Sequence, residues 1–384
     1  MKFKMNRIAM RKEAVLASLP VPFISPIIGL SGLRIKVETD KLILAGTDCS
    51  FSVQKTIRPT TENGLIVESP GEFILEARFI NNILKHGEGE VISFEMDDNS
   101  NCVRVECGKA KFNLNTFVES VNVDFYPIKT GTHFTTSSEG LQKCFNATSH
   151  ALPNNPNVRH VLLGIHIKLD EEELIFEASD GFCLSRAVTK AAVEQMGAHP
   201  DVILPRKPAM MLSRLIGDKA DVKCAFNSNK IQLKYSENEV DTIIESSLIA
   251  GDYPTIGNVI PQKTDKSLTI SSEILWNALD KVAIVEETGK VLELFMNIGK
   301  DEILLEATNL NVGSTQQDIK GDNYEYSGNG NLEFYANMKY IKMAMKALNC
   351  ETIQISSDGV PKPVKIQEKD KDDVIIIVIP LRKV

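Results

Sequence analysis

The sequence predicts an α+β protein of three tandem, similar domains, each with two helices packed on one face of antiparallel sheet, and three recurrences predict it. The first is a strand, helix and strand pattern: GEFILEARFINNILKHGEGEVISFEM from Gly71, DVILPRKPAMMLSRLIGDKADVKCAF from Asp201 and NLEFYANMKYIKMAMKALNCETIQIS from Asn331, about 130 residues apart. The second repeats the outline at the same period: KFKMNRIAMRKEAVLASL from Lys2, HFTTSSEGLQKCFNATSHAL from His133 and SLTISSEILWNALDKVAIV from Ser267. The third is a strand ending in Ala or Gly, a hydroxyl residue, then Asp or Asn: AGTD to Asp48, EASD to Asp180 and EATN to Asn309. Such a period suits a whole domain rather than a solenoid unit.

Between these units lie alternating strands, LRIKVETDKLILAGTD and LLGIHIKLDEEELIFEASD, whose polar ETDK and DEEE turns mark hairpins. The polar, turn-forming segments around Thr130 and Gln262 set the expected domains at 1–129, 130–262 and 263–384. The β-branched run Val374 to Val378 is an expected buried strand, and Pro380, Leu381 and Arg382 just after it are expected at a surface.

Composition excludes several classes. The 384 residues are 43% apolar and 24% charged, ordinary for a globular protein of two or three domains. No stretch approaches the roughly 20 apolar residues of a membrane span. The start MKFKMNRIAMRKEAV lacks a signal-peptide core, and seven cysteines without pairing logic fit a reducing cytoplasm. The near pair Cys102 and Cys107 has no second pair at ligand spacing, so neither a metal nor a cofactor is expected.

The net charge of −8 hides an uneven distribution. The second helical stretch of each domain, 77–86, 206–217 and 336–348, contains bases and no acid. Arg78 with Lys85, Lys207 with Arg214, and Lys339 with Lys346 are each seven residues apart, two turns along one helix face. One such helix reads as a solvated face; three in register read as a basic surface aimed at a polyanion. The first helices are mixed, Glu13 and Asp280 offsetting Arg7, Arg11, Lys12 and Lys281. No aromatic residues interleave with these bases as base-stacking platforms would require, so phosphate contact without sequence reading is expected.

The repeat, the start KFKMNRIAM, the central VRHVLLGIHIKLDEEELIFEASDGFCLSRA, the segment SSLIAGDYPTIGNVIP and the closing IVIPLR together resemble the bacterial DNA polymerase III β subunit family, the sliding clamps, across the whole chain. The resemblance implies a ring of two head-to-tail chains with helices lining the hole, duplex DNA inside, and no catalytic activity. It implies a DNA-facing set of Arg7, Arg11, Lys12, Arg78, Lys85, Lys143, Arg206, Lys207, Arg214, Lys281, Lys339, Lys342 and Lys346. Polymerase and loader subunits would insert short apolar peptides into a cleft formed by Leu162, Ser179, Gly181, Phe182, Cys183, Leu184, Pro254, Asn258, Val259, Asn337, Tyr340, Pro361, Pro363, Val378, Ile379, Pro380, Leu381 and Arg382. The dimer interface is expected near Lys109, Phe112, Ile284 and Val285.

The chain departs from the family where His and Arg ordinarily follow Asp180; here Phe182 and Cys183 make that corner more apolar. VPFISPI lacks a basic residue, Asn155 to Asn157 replace another polar DNA contact, and two residues follow the usual tail, which together suggest a second, plasmid or phage copy. Two rivals stand beside the clamp. One is an enzyme using His160, His166 and Asp180, which lacks a nucleophile elbow, metal spacing or phosphate loop. The other is an interaction protein that keeps the fold and cleft without encircling DNA.

Overall fold

The computed structural model describes residues 1–96, 101–117, 123–199 and 201–382. Each recurring motif folds as a strand running directly into a helix. The helices are α1 (Arg7–Ala17), α2 (Ala77–His86), α3 (Ser138–Ser149), α4 (Arg206–Leu215), α5 (Ser272–Val282) and α6 (Met338–Leu348). Local chemistry fixes their starts and faces. The Asn6 side chain accepts the Ile8 and Ala9 amides at 2.9 and 3.1 Å, and Asn337 accepts that of Lys339 at 3.0 Å. Ala77, Ile80, Ile83 and Leu84 of α2 and Met338, Ile341, Ala344 and Met345 of α6 bury the same i, i+3, i+6, i+7 stripe.

By compactness the chain divides into two units, Met1–Gln142 with Lys190–Ile249, and Lys143–Thr189 with Ala250–Val384. The first contains a five-stranded sheet ordered 66–69, 2–6, 91–96, 102–107, 110–115, and a nine-stranded one ordered 192–195, 132–137, 221–226, 230–237, 240–247, 51–57, 41–47, 32–38, 71–76. The second contains a four-stranded sheet ordered 313–320, 302–309, 293–298, 332–337, and a run ordered 164–170, 173–179, 183–190, 374–378, 364–368, 352–357, 266–271, 324–327. The ETDK and DEEE segments are hairpin turns, with Glu171 at φ +53°.

Strand pairs between sequence repeats explain why compact units and repeats differ. Phe51–Ile57 runs antiparallel to Val240–Ser247, pairing Phe51 with Ser246. Cys183–Ala187 runs antiparallel to Val374–Val378, pairing Cys183 with Val378. The latter strand also pairs with 364–368, so it is interior to its sheet and buried at every residue. That is why VIIIV has no polar alternation.

Candidate functional site

In the second unit a tight turn, the chain's last strand and the start of α6 meet. In the turn Ser179 to Cys183, Asp180 Oδ1 accepts the Phe182 and Cys183 amides at 2.9 and 2.8 Å. The Ser179 hydroxyl accepts the Gly181 amide at 3.1 Å and donates to the Cys183 carbonyl at 2.9 Å. This is the local Asx and hydroxyl bonding that short polar residues bring to a turn. Gly181 sits at φ +90°, a conformation that favours glycine. The turn thereby presents Phe182, 61% exposed.

The tail is pinned to this turn. The Ile379 amide donates to the Phe182 carbonyl at 2.9 Å, and that of Leu381 to the Tyr335 carbonyl at 2.7 Å. Val364 pairs with Val378, so Pro363 lies one position from that pair, and Pro361 follows a cis peptide bond. Ile379, Pro380 and Leu381 are half-buried and Arg382 is exposed. The last residues are therefore part of a surface and not a frayed end; Lys383 and Val384 lie outside the described residues.

Tyr340 of α6 donates to Asp180 Oδ2 at 2.7 Å. Burial, then this bond, push its phenol above the ordinary range, so it stays a donor at neutral pH. Leu184, Ile256, Ile260, Ile375 and Ile377 form an apolar cluster against which Tyr253 and Ile379 pack. Tyr253 stacks on His166 with ring centres 4.7 Å apart, and His166 Nδ1 lies 3.1 Å from Glu177.

Of the expected cleft, the turn from Ser179 to Leu184, the tail from Val378 to Ile379 and Tyr340 are tied together by these bonds, with corrections in detail. Leu162 is half-buried and Val259 is 39% exposed, so neither is a core residue. Cys183 is 1% exposed, its sulfur 3.9 Å from His150 Nε2, so it lies under the turn and lines no open cleft. Ser179, Leu184 and Val378 are buried and form the wall behind. Asn337 caps α6. Tyr253, Ile256, Ile260, Ile375, Ile377 and Tyr335 were missed; the 3 and 4 spacing of the first three was the available signal. His166 is bonded to Glu177 and stacked on Tyr253, while Asp180 is bonded to Tyr340 and to the turn amides.

The basic faces are also changed by tertiary contacts. The seven-apart pairs, Arg78 with Lys85, Lys207 with Arg214 and Lys339 with Lys346, are all exposed, as are Lys12 and Lys281. Arg7 is a staple instead, donating to the Leu84 and Gly89 carbonyls at 2.7 Å each and so serving the end of α2. Acids outside the basic helices pair with one base of each: Glu76 with Arg78, Asp48 with Lys207, and Asp280 with Lys342. Lys143 pairs with Asp373. Aromatic rings do accompany the bases, contrary to expectation: Lys342 and Lys346 lie over Trp276, and Arg78 over Phe23 and Phe79. At the expected dimer surface Ile284 is 78% exposed, but Val285 is 7% exposed and belongs to the interior.

Three domain models of the DNA polymerase III beta subunit match the chain: the N-terminal domain over 1–127, the central domain over 135–255 and the C-terminal domain over 257–382. The beta sliding clamp of Staphylococcus aureus strain Mu50 is 26% identical over 360 residues, 92% of each chain. The DNA polymerase sliding clamp of Bacillus subtilis is similar in structure at a TM-score of 0.86 and 21% identity, covering 100% of both chains. A DNA polymerase III subunit beta sliding clamp from Pseudomonas aeruginosa bound to griselimycin gives 0.84 and 24%, again over 100% of both. These relatives share the three-domain clamp fold, and with its repeats matched in order by the three models, the chain belongs to the DNA polymerase III beta subunit family.

Proposed function

We propose that this protein is a DNA sliding clamp: two copies close head to tail around duplex DNA and tether a replicative polymerase in the cytoplasm. The domain limits 1–129, 130–262 and 263–384 belong to this reading. One observation carries it. Each in-chain join pairs the strand after the Asp48 or Asp180 turn with the last strand of the following repeat. Among the described residues, the strand after the Asn309 turn, 313–320, and the last strand of the first repeat, 110–115, remain at sheet edges. An unpaired edge is a template for another chain. Pairing these two edges between copies makes the third join of the same kind, and twofold symmetry makes it twice. The in-chain register sets Ala110 opposite Gln317 and Phe112 opposite Thr315 of the second copy, inward face against inward face.

The surfaces flanking these edges suit that closure. Ile284 and Leu310 are 78% and 100% exposed, and a cavity of about 590 Å³ in the first unit is lined by Lys109, Phe112, Ile83 and Cys107. Exposed apolar groups of this kind mark contact surfaces.

A closed ring needs no tight grip on DNA, because escape requires opening it. Exposed lysines and arginines on helices without acids supply weak, salt-sensitive phosphate contact that permits sliding. The apolar surface beside Phe182 and the tail would take short apolar peptides of polymerase and loader subunits, making rebinding effectively intramolecular. The test is retention on nicked circular plasmid after loading, in moderate salt, before and after linearisation. Retention on the circle and loss from the linear form is expected. A stable dimer that binds clamp-motif peptides yet is held on neither form would be an interaction protein that does not encircle DNA.

A further inference from the structure

The face of α2 carries a group that phosphate contact does not need. Phe23 and Phe79 are 74% and 45% exposed, and Ile24 beside them is 83% exposed. The Arg78 guanidinium lies 5.4 Å from the centre of the Phe23 ring and 4.9 Å from that of Phe79, with Glu76 holding it at 3.1 Å. Lys85 stands two turns further along the same exposed face, and α2 contains no acid. Two aromatic rings are thus held in water by one arginine, a cation–π arrangement that fixes the rings and adds positive charge.

We propose that Phe23, Phe79 and Arg78 form a subsite for single-stranded DNA, in which an unpaired base stacks on Phe23 while Lys85 meets the backbone. Bases inside a duplex are already stacked and offer no face to a protein ring. Unpaired bases do, and an aromatic platform beside basic groups takes them without sequence preference. The positive charge of the face complements this polyanion. The proposal extends the clamp reading, from which it takes only the nature of the ligand, and it requires no ring closure.

The intact protein, without a loader, is titrated against fluorescently labelled oligo-dT and against an abasic strand of equal length, with anisotropy as readout. Phe23→Ala should weaken oligo-dT binding about tenfold and leave the abasic strand unaffected. Phe23→Trp should restore it, and Lys85→Ala should weaken both strands alike. Equal losses on the two strands with Phe23→Ala, or none on oligo-dT, would overturn the proposal. So would a change in oligomeric state or in lipid-vesicle binding in place of a change in oligo-dT binding, since the apolar patch would then serve a protein or a membrane. Plasmid retention measured in parallel separates the two readings: a wild-type protein lost from circles that still stacks oligo-dT removes the clamp and leaves the subsite.

Discussion

The turns Thr47 to Phe51 in the first unit and Ser179 to Cys183 in the second are the same device put to different uses. In each, the leading hydroxyl accepts the amide two residues on, Cys49 at 2.9 Å and Gly181 at 3.1 Å, and donates to the carbonyl four on. In each, one aspartate oxygen accepts the next two amides, from Ser50 and Phe51 or from Phe182 and Cys183. Both centre on a left-handed residue, Cys49 at φ +76° and Gly181 at +90°. The strands that follow pair in the same relative register.

The side chains differ. The second aspartate oxygen takes the Lys207 ammonium in the first turn and the neutral Tyr340 hydroxyl in the second. Burial pushes Asp48 up, but Lys207, Ser50 and two amides outweigh it and hold its carboxyl below the usual range. The residues at matching strand positions are Ser52 and Glu245 in the first unit, where Leu184 and Ile377 stand in the second. Glu245 is satisfied by Lys230 at 3.0 Å and Gln232 at 2.9 Å, whereas Leu184 and Ile377 belong to an apolar cluster. One backbone scaffold therefore yields a polar, ion-paired face in one place and an apolar face in the other. Function resides in the site grafted on the fold.

The most damaging change should be to give the second face the chemistry of the first. Leu184→Ser with Ile379→Ser removes two large apolar contacts, each worth about 1.5–3 kcal/mol. Calorimetry with a clamp-motif peptide should show affinity falling at least about a hundredfold, and unchanged affinity would move the cleft elsewhere.

Acidification separates the two regions next. His150, under the second turn, is held by burial down to about 4 from an ordinary 6.5, with the Asp180 charge opposing. The unfolded chain therefore takes up this proton before the native one does, so stability falls as pH drops from 6.5 towards 4, on the order of 1 kcal/mol per pH unit. Melts across that window should show the slope, and His150→Gln should flatten it.

Tyr340→Phe, which unties α6 from the turn, should cost about 1 kcal/mol in urea unfolding. It should also widen hydrogen exchange at the Phe182 and Cys183 amides while leaving Ser50 and Phe51 unaffected. The smallest effects test the backbone. A Cβ at Gly181 meets nothing within 4 Å, so Gly181→Ala reports conformational strain alone, about 1 kcal/mol. Cys49→Gly relieves the matching strain and should lie within about 0.5 kcal/mol of wild type.

How far these regions were legible depends on the range of the interaction. Asp180, Gly181 and Phe182 could be read as a turn because its bonds close within five residues. That Tyr340 would reach Asp180 across 160 residues was not readable, although both residues belonged to recognised motifs. The family resemblance places Cys183 in the pocket beside Phe182, but strand alternation sends successive side chains to opposite faces. Val285 was misplaced beside exposed Ile284 because the turn after α5 buries one and exposes the other.

Local pattern in the sequence specifies the six strand-to-helix units, their threefold recurrence, the interior strand Val374–Val378 and the surface position of Pro380 to Arg382. These follow from periodicity and from residue type, which are properties of near neighbours. Which bases stay available is set by contacts remote in sequence. Lys207 is taken by Asp48 across 159 residues and Lys143 by Asp373 across 230, while Arg78 is set between two aromatic rings. The pairing of charges depends on distances that exist only once remote strands have closed, because Coulomb attraction and hydrogen bonding act over a few ångströms of space and not along the chain.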